Sequence, residues 1–195
     1  MGKVGDLIIV SFFGTLFFIS IIGSGGALSA VYYACVKSVR YEYGIARKEF
    51  FHSLRENWVQ GFKIVLLFLL YGLATFGSIY FSNQMNMEGY LAMLYWILAR
   101  MLLLPLFLVL PWIFALLARF TMKTGELIKV SFYIAVRHIG TTILLIFLWA
   151  IAAFGICYMP IMTLLIPGVL ALASSYLTEK VFQNYTNTTE KEVPF

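Results

Sequence analysis

Long apolar stretches, almost free of charged residues, dominate this chain of 195 residues, of which 62% are hydrophobic and only 12% charged. A helix of about 20 apolar residues crosses the hydrocarbon of a bilayer, and it pairs its own backbone groups where no water is present. The apolar stretches predict five transmembrane helices, over 6–36, 58–81, 90–119, 141–158 and 161–177. We therefore predict an all-α, polytopic membrane protein.

Two segments of the chain, 6–82 and 88–164, can be aligned on each other without a gap. Charged positions are rare in such a composition, yet they coincide in this alignment. Lys37 falls on Arg119, Arg47 on Lys129, and Arg55 on Arg137. Such matches are typical of a duplicated helical unit. We predict an internal repeat within one helical membrane domain, 1–183, followed by a polar tail, 184–195.

Glycines and prolines interrupt the longest apolar stretches. The predicted helix breaks are Gly23, Gly25, Gly26, Pro105 and Pro111. A glycine run either lets two helices pack closely or unwinds the backbone beside a cavity. The sequence leaves both interpretations open.

The distribution of Lys and Arg indicates the orientation of the chain in the membrane. With the N-terminus outside and the C-terminus cytoplasmic, every Lys and Arg except Lys3 and Arg100 falls on the cytoplasmic side. A re-entrant first span would instead place the N-terminus inside. With most Lys and Arg on the cytoplasmic side, the net charge of +5 lies beside anionic lipid. We therefore do not expect the chain to bind nucleic acid.

Two amphipathic helices are predicted on the cytoplasmic side. One covers 47–58, and the other presents an apolar stripe made of Ile128, Phe132, Val136 and Ile139. They either lie in the headgroup layer as connectors or form a docking surface for a partner or for lipid. The candidate docking residues are Lys37, Arg40, Arg47, Lys48, Arg55, Lys129 and Arg137.

Arg100 falls within the third predicted span, where a charged group is costly unless it pairs or reaches the interface. Asp6 and Glu88, which coincide in the repeat alignment, are the acids available for an intramembrane ion pair. Snorkelling of Arg100 to the outer interface and contact with a transported substrate are the alternatives.

The sequence shows no arrangement of residues that is typical of a catalytic site or a cofactor-binding site. His52 and His138 have no Cys or carboxylate neighbours at metal-ligand spacing, and the glycine run lacks the features of a phosphate-binding loop. We expect no enzyme activity, no metal and no cofactor.

Several segments in order along the chain carry a family resemblance. They are GDLII (5–9), ALSAVYY (27–33), KSVR (37–40), FFHSLRENWVQGF (50–62), ARF (118–120), VRH (136–138), PG (167–168) and SSYL (174–177). In these the chain resembles the YesL family of bacterial membrane proteins, a domain of unknown function with about five predicted spans. Many relatives have a proline-containing turn after the first span, where this chain has glycines.

The resemblance implies a bacterial cytoplasmic membrane protein encoded among genes for carbohydrate uptake, often beside sugar ABC importers. It supplies no active site. We therefore expect an accessory subunit that packs against the permease or ATPase subunits of such an importer, with membrane lipids as its surroundings. A small independent transporter or channel for a sugar or an ion is the alternative, and an enzyme acting on lipid or cell wall ranks behind both.

Overall fold

Helices make up nearly all of the structure, a computed structural model that describes residues 3–19, 23–41, 44–84, 90–159 and 163–191. The helices in chain order are α1 Lys3–Ile19, α2 Ser24–Ala34, α3 Ala46–Gln84, α4 Tyr90–Met101, α5 Leu103–Arg119, α6 Thr124–Arg137, α7 Ile139–Tyr158 and α8 Ile166–Lys191. A π-helical turn, Cys35–Arg40, continues α2. The all-α class predicted from the sequence is confirmed.

Within the part of the chain that the structure describes, three segments are long and apolar enough to cross a membrane, namely Ala46–Gln84, Met93–Arg119 and Ile139–Tyr158. A shorter apolar helical segment covers Gly5–Phe18. The first predicted span is divided between α1 and α2, and the fifth overlaps α8, which continues to Lys191. The structure thus has the character of a membrane protein, whereas the count of five spans stays a prediction.

The amphipathic segment 47–58 is not a separate helix. It forms the first turns of α3, whose 39 residues correspond to a length of about 58 Å. No proline occurs within α3, and its glycines cost too little helix stability to end it. In the other half of the chain, the corresponding helices α6 and α7 are separated at His138, whose φ of −112° and ψ of 49° are not helical.

The predicted helix breaks fall partly at other positions. Gly23 lies at the N-terminal boundary of α2, as predicted, but Gly25 and Gly26 lie inside that helix. The break between α4 and α5 is at Leu102. Pro105 fits the first turn of α5, where a missing N–H is tolerated, and α5 also continues through Pro111.

Gly25 and Gly26 allow α2 and α3 to approach closely. A Cβ on Gly25 would overlap the carbonyl oxygen of Gly61 in α3, and a Cβ on Gly61 would lie 2.5 Å from the backbone nitrogen of Gly26. Small residues at such a crossing let helices pack backbone to backbone. Of the two roles considered for the glycine run, the structure therefore gives these two residues the packing role.

The buried residues form two clusters on either side of α2. One contains Phe50 and Leu54 of α3, and the ring of Phe50 lies 6.0 Å from that of Phe13 on α1. The other centres on Trp112, whose indole N–H donates to the Thr142 hydroxyl at 3.0 Å. Large apolar side chains on the outer faces of α3 and α7 stay exposed, which suits contact with lipid.

The close contact of α2 with α3 predicts the effect of one added methyl group. Gly25→Ala should lower the free energy of unfolding by about 1–3 kcal/mol or more, because the backbone of Gly61 cannot yield as a side chain would. Gly72→Ala, where a Cβ meets nothing within 4 Å, should leave stability unchanged or raise it slightly. Thermal unfolding of both variants in the same detergent compares them, and equal melting temperatures would contradict the packing role.

Candidate functional site

A polar pocket of about 500 Å³ lies at the end of the helices where most Lys and Arg are found, which we call the basic end. Three helices and the π-helical turn provide its walls. The lining residues are Tyr32, Tyr33, Val36, Lys37, Tyr41, Ala118, Arg119 and Glu179. The pocket thus gathers charged and phenolic groups from α2, α5 and α8.

Glu179 is the chemically most unusual residue of the pocket, because its side chain is 0% exposed. Its Oε2 atom lies 2.9 Å from Nη1 of Arg119, whose side chain is 35% exposed. The two groups form an ion pair, although the contact is not aligned as a hydrogen bond. A buried carboxylate is stable only with such compensation.

Tyr32 connects this carboxylate to the rest of the bundle. Its hydroxyl donates to Oε1 of Glu179 at 3.3 Å and lies 2.6 Å from the Thr178 hydroxyl. The Thr178 hydroxyl in turn donates to the carbonyl of Ser174 at 3.0 Å. These bonds link α2 to α8 inside the bundle.

Lys37 forms the second ion pair of the pocket. Its Nζ donates to Oε2 of Glu49 at 2.7 Å and to the Tyr33 hydroxyl at 3.2 Å. The hydrogen bond that Lys37 donates to Glu49 is the main reason why the pKa of Lys37 is raised above its ordinary value, with a further contribution from Tyr33. Lys37 is 39% exposed and Glu49 only 13%, so here too the cation faces outward and the acid lies behind it.

An apolar cavity of about 330 Å³ lies next to the polar pocket. It is lined by α1, α2, α5, α7 and α8, and its walls are almost entirely apolar, although the buried indole N–H of Trp149 has no hydrogen-bond partner among the described residues. Tyr32 lines both the cavity and the pocket. A cavity with so few polar groups suits an apolar ligand rather than a water-soluble one.

The seven predicted docking residues divide into two groups. Lys37 belongs to the polar pocket, and Arg40 is also engaged, since its Nη1 donates to the Ser175 carbonyl at 2.6 Å and its guanidinium lies 4.7 Å from the Tyr176 ring. The other five are exposed on α3 and α6, and we call them the basic face: Arg47, Lys48, Arg55, Lys129 and Arg137.

The second predicted amphipathic helix corresponds to α6 and the start of α7, and its position in the headgroup layer stays a prediction. Helix α6 buries Leu127, Ser131, Ile134 and Ala135, whereas Phe132 and Val136, together with Ile139 at the start of α7, are exposed. Leu127, Ile134 and Ala135 belong to the same hydrophobic cluster as Trp112 of α5, and the exposed stripe suits contact with lipid.

Arg100 has partners other than the predicted acids. Its Nη2 donates to Oδ1 of Asn83 at 2.9 Å, and its guanidinium lies 3.5 Å from the centre of the Trp96 ring. Within the described part of the chain, α1, which carries Asp6, does not contact α4. Glu88 lies outside the described residues, so its pairing stays a prediction.

The two histidines each contact one polar side chain. His52 lies 3.4 Å from Glu56, and Nε2 of His138 lies 3.2 Å from the Tyr185 hydroxyl. Among the residues that the structure describes, no group of three His, Cys, Asp or Glu side chains could hold a metal ion.

Glu179, Tyr32 and Thr178 were not predicted as site residues. A signal was present on the last helix, where Ser174 and Thr178, and likewise Ser175 and Glu179, lie four residues apart after a long apolar run. Such a polar stripe indicates a helix face turned toward other polar groups rather than toward lipid.

The Arg119–Glu179 ion pair yields a prediction for stability. Arg119→Gln should lower the free energy of unfolding by about 3 kcal/mol, since it leaves a fully buried carboxylate without its cation. The double variant R119Q/E179Q should be less destabilised, because it removes both charges. Denaturant unfolding of the set, with the exposed Arg137→Gln as control, tests this. Equal losses of unfolding free energy for Arg119→Gln and Arg137→Gln would show that the buried ion pair does not stabilise the fold.

Comparison with known proteins finds one family. Residues 7–79 match the model of a family described as "Protein of unknown function, DUF624". The matched segment contains most of α1, all of α2 and most of α3, which is less than half of the chain. No curated protein and no solved structure matches the chain. The first part of the chain is therefore similar to a domain of unknown function.

Proposed function

We propose that this chain is a non-enzymatic accessory membrane subunit whose basic face docks on an acidic surface of a bacterial carbohydrate ABC importer. The exposure of the basic face is the observation that carries the proposal. Among the described residues, none of its five cations lies within ion-pair distance of an acidic group. Unneutralised cations on neighbouring helices favour an acidic partner, and they guide its approach.

Exposed aromatic side chains accompany the cations and support a protein partner. Phe51 and Trp58 lie on the same helix as Arg55, and Phe132 and Tyr133 on the same helix as Arg137. Arginine and aromatic residues are enriched at the energetically dominant positions of protein interfaces. The choice of an importer as partner rests on the resemblance to the YesL family. The family match over residues 7–79 supports only a similarity to a domain of unknown function.

Independent transport of a sugar or an ion is the weaker candidate, because the apolar cavity offers few free polar groups. The hydroxyl of Thr15 already donates to backbone carbonyls of Ser11 and Thr163, at 3.0 Å and 2.7 Å, and that of Ser174 to Ala171. Apart from the unbonded indole N–H of Trp149, the cavity offers a hydrated solute little to replace its bonds to water. This favours the accessory role over transport.

Copurification from native membranes tests the proposal. A tagged chain, extracted in mild detergent, should bring down importer subunits. Arg55→Glu and Arg137→Glu should each reduce their recovery by roughly tenfold, since each places like charges together at the interface. Lys180→Glu reverses an exposed charge on α8 outside the basic face and should not change the recovery.

Two results would count against the accessory role. One is purification of the chain without importer subunits, together with normal sugar uptake in a strain that lacks the chain. The other is an equal loss of recovery with Lys180→Glu, which would mean that the overall charge matters and not the basic face.

A further inference from the structure

The apolar cavity and the polar pocket both lie along α2, α5 and α8, and both are lined by Tyr32. On α8 the lining passes from Pro167 through Ser174 to Glu179, and on α5 from Pro111 to Arg119. At 1.5 Å per residue, the part on α8 is about 18 Å long. We call the two spaces together the groove, with the cavity as its apolar section and the pocket as its charged section.

The apolar section has room for an alkyl chain. Small residues leave this room, among them Gly14, Ala27, Ala115, Ala152 and Ala171. A cavity of about 150 Å³ accommodates one benzene molecule, so about 330 Å³ accommodates about a dozen carbon atoms. An empty cavity of this size would forfeit dispersion contacts with its walls, which a lipid tail restores.

The charged section presents cations to a ligand and keeps its acids behind them. Arg119 and Lys37 are 35% and 39% exposed, whereas Glu179 and Glu49 are 0% and 13% exposed. A group entering the pocket therefore meets a guanidinium and an ammonium before it meets a carboxylate. This arrangement is complementary to an anion.

Tyr32 marks the boundary between the two sections, since it is the residue common to their linings. Its hydroxyl is held by Thr178 and Glu179, at 2.6 Å and 3.3 Å. Its ring offers an apolar surface and its hydroxyl a polar one. Such a side chain suits the point where the apolar tail of a lipid meets its polar headgroup.

We infer that this groove binds an anionic phospholipid, with an acyl chain in the apolar cavity and the phosphate in the polar pocket beside Arg119 and Lys37. The orientation agrees with that of a bilayer lipid, because the charged section lies at the basic end, where headgroups are expected. A zwitterionic lipid has the same tail, but its ammonium group would face the two cations. A free phosphate ion lacks the tail that fills the cavity.

Lipid titration of the full chain tests this inference. The protein is purified in detergent, washed free of lipid, and titrated with dioleoyl phosphatidylglycerol or with phosphatidylcholine that carries the same acyl chains. Native mass spectrometry counts the lipids bound per chain. We expect one phosphatidylglycerol per chain, bound at least about tenfold more tightly than phosphatidylcholine. Both lipids offer a phosphate to charge-assisted contacts, but only phosphatidylcholine carries an ammonium group that the two cations of the pocket repel.

Three variants and one control identify the groove as the site. R119Q/E179Q removes the cation together with its buried acid, so it leaves neither an isolated buried charge nor a change in net charge. Lys37→Gln removes the second cation, and Ala152→Phe fills the apolar cavity. Each should weaken the binding of phosphatidylglycerol by about tenfold. Lys123→Gln should not, because Lys123 is an exposed cation that belongs neither to the groove nor to the basic face.

Equal binding of the two lipids would overturn the inference, as would a loss with Lys123→Gln equal to that of the groove variants. Displacement of phosphatidylglycerol by glycerol 3-phosphate at the same concentration would assign the pocket to a free anion instead. Retention of full binding by Ala152→Phe would exclude the apolar cavity as the place of the tail.

Discussion

The close contact between α2 and α3 is the constraint on which the rest of this structure depends. Gly25, Gly26 and Gly61 have no side chains to separate the two backbones, so the helices meet over an area that any larger residue would reduce. In a membrane, helix association depends on close packing because lipid is as apolar as the helix surface. The contact fixes α2, which positions Tyr32 at the polar pocket, and the π-helical turn that continues α2 positions Lys37 there.

The buried carboxylate of Glu179 sets the second requirement. A charge that is 0% exposed needs a cation and hydrogen-bond donors, and α8 provides neither at that point. Arg119 comes from α5 and the Tyr32 hydroxyl from α2, so satisfying one side chain draws three helices together. The groove between these helices follows from this convergence. Its two sections differ because the polar partners are confined to one end, while small apolar residues line the other.

Much of the helical content could be predicted from the apolar stretches, but helix boundaries and buried faces could not. Helix α3 joins a predicted surface helix to a predicted span, since nothing between them stops the helix. On α6 the sequence predicts an apolar stripe, but it does not show that Leu127, Ile134 and Ala135 are the residues that pack on the rest of the bundle. The alignment of the two halves paired Lys37 with Arg119, and both line the same pocket. The repeat itself stays a prediction.

The sequence by itself determined the class of this protein, because 62% hydrophobic residues in long uncharged stretches have few alternatives to membrane helices. It also located the cations, including the basic face, since their positions are read directly from the chain. Only the tertiary structure decided which of those cations are engaged and which are exposed, and it alone revealed Glu179 as a buried acid. The physical reason is distance along the chain: Tyr32, Arg119 and Glu179 lie on three separate helices, and only packing brings them together.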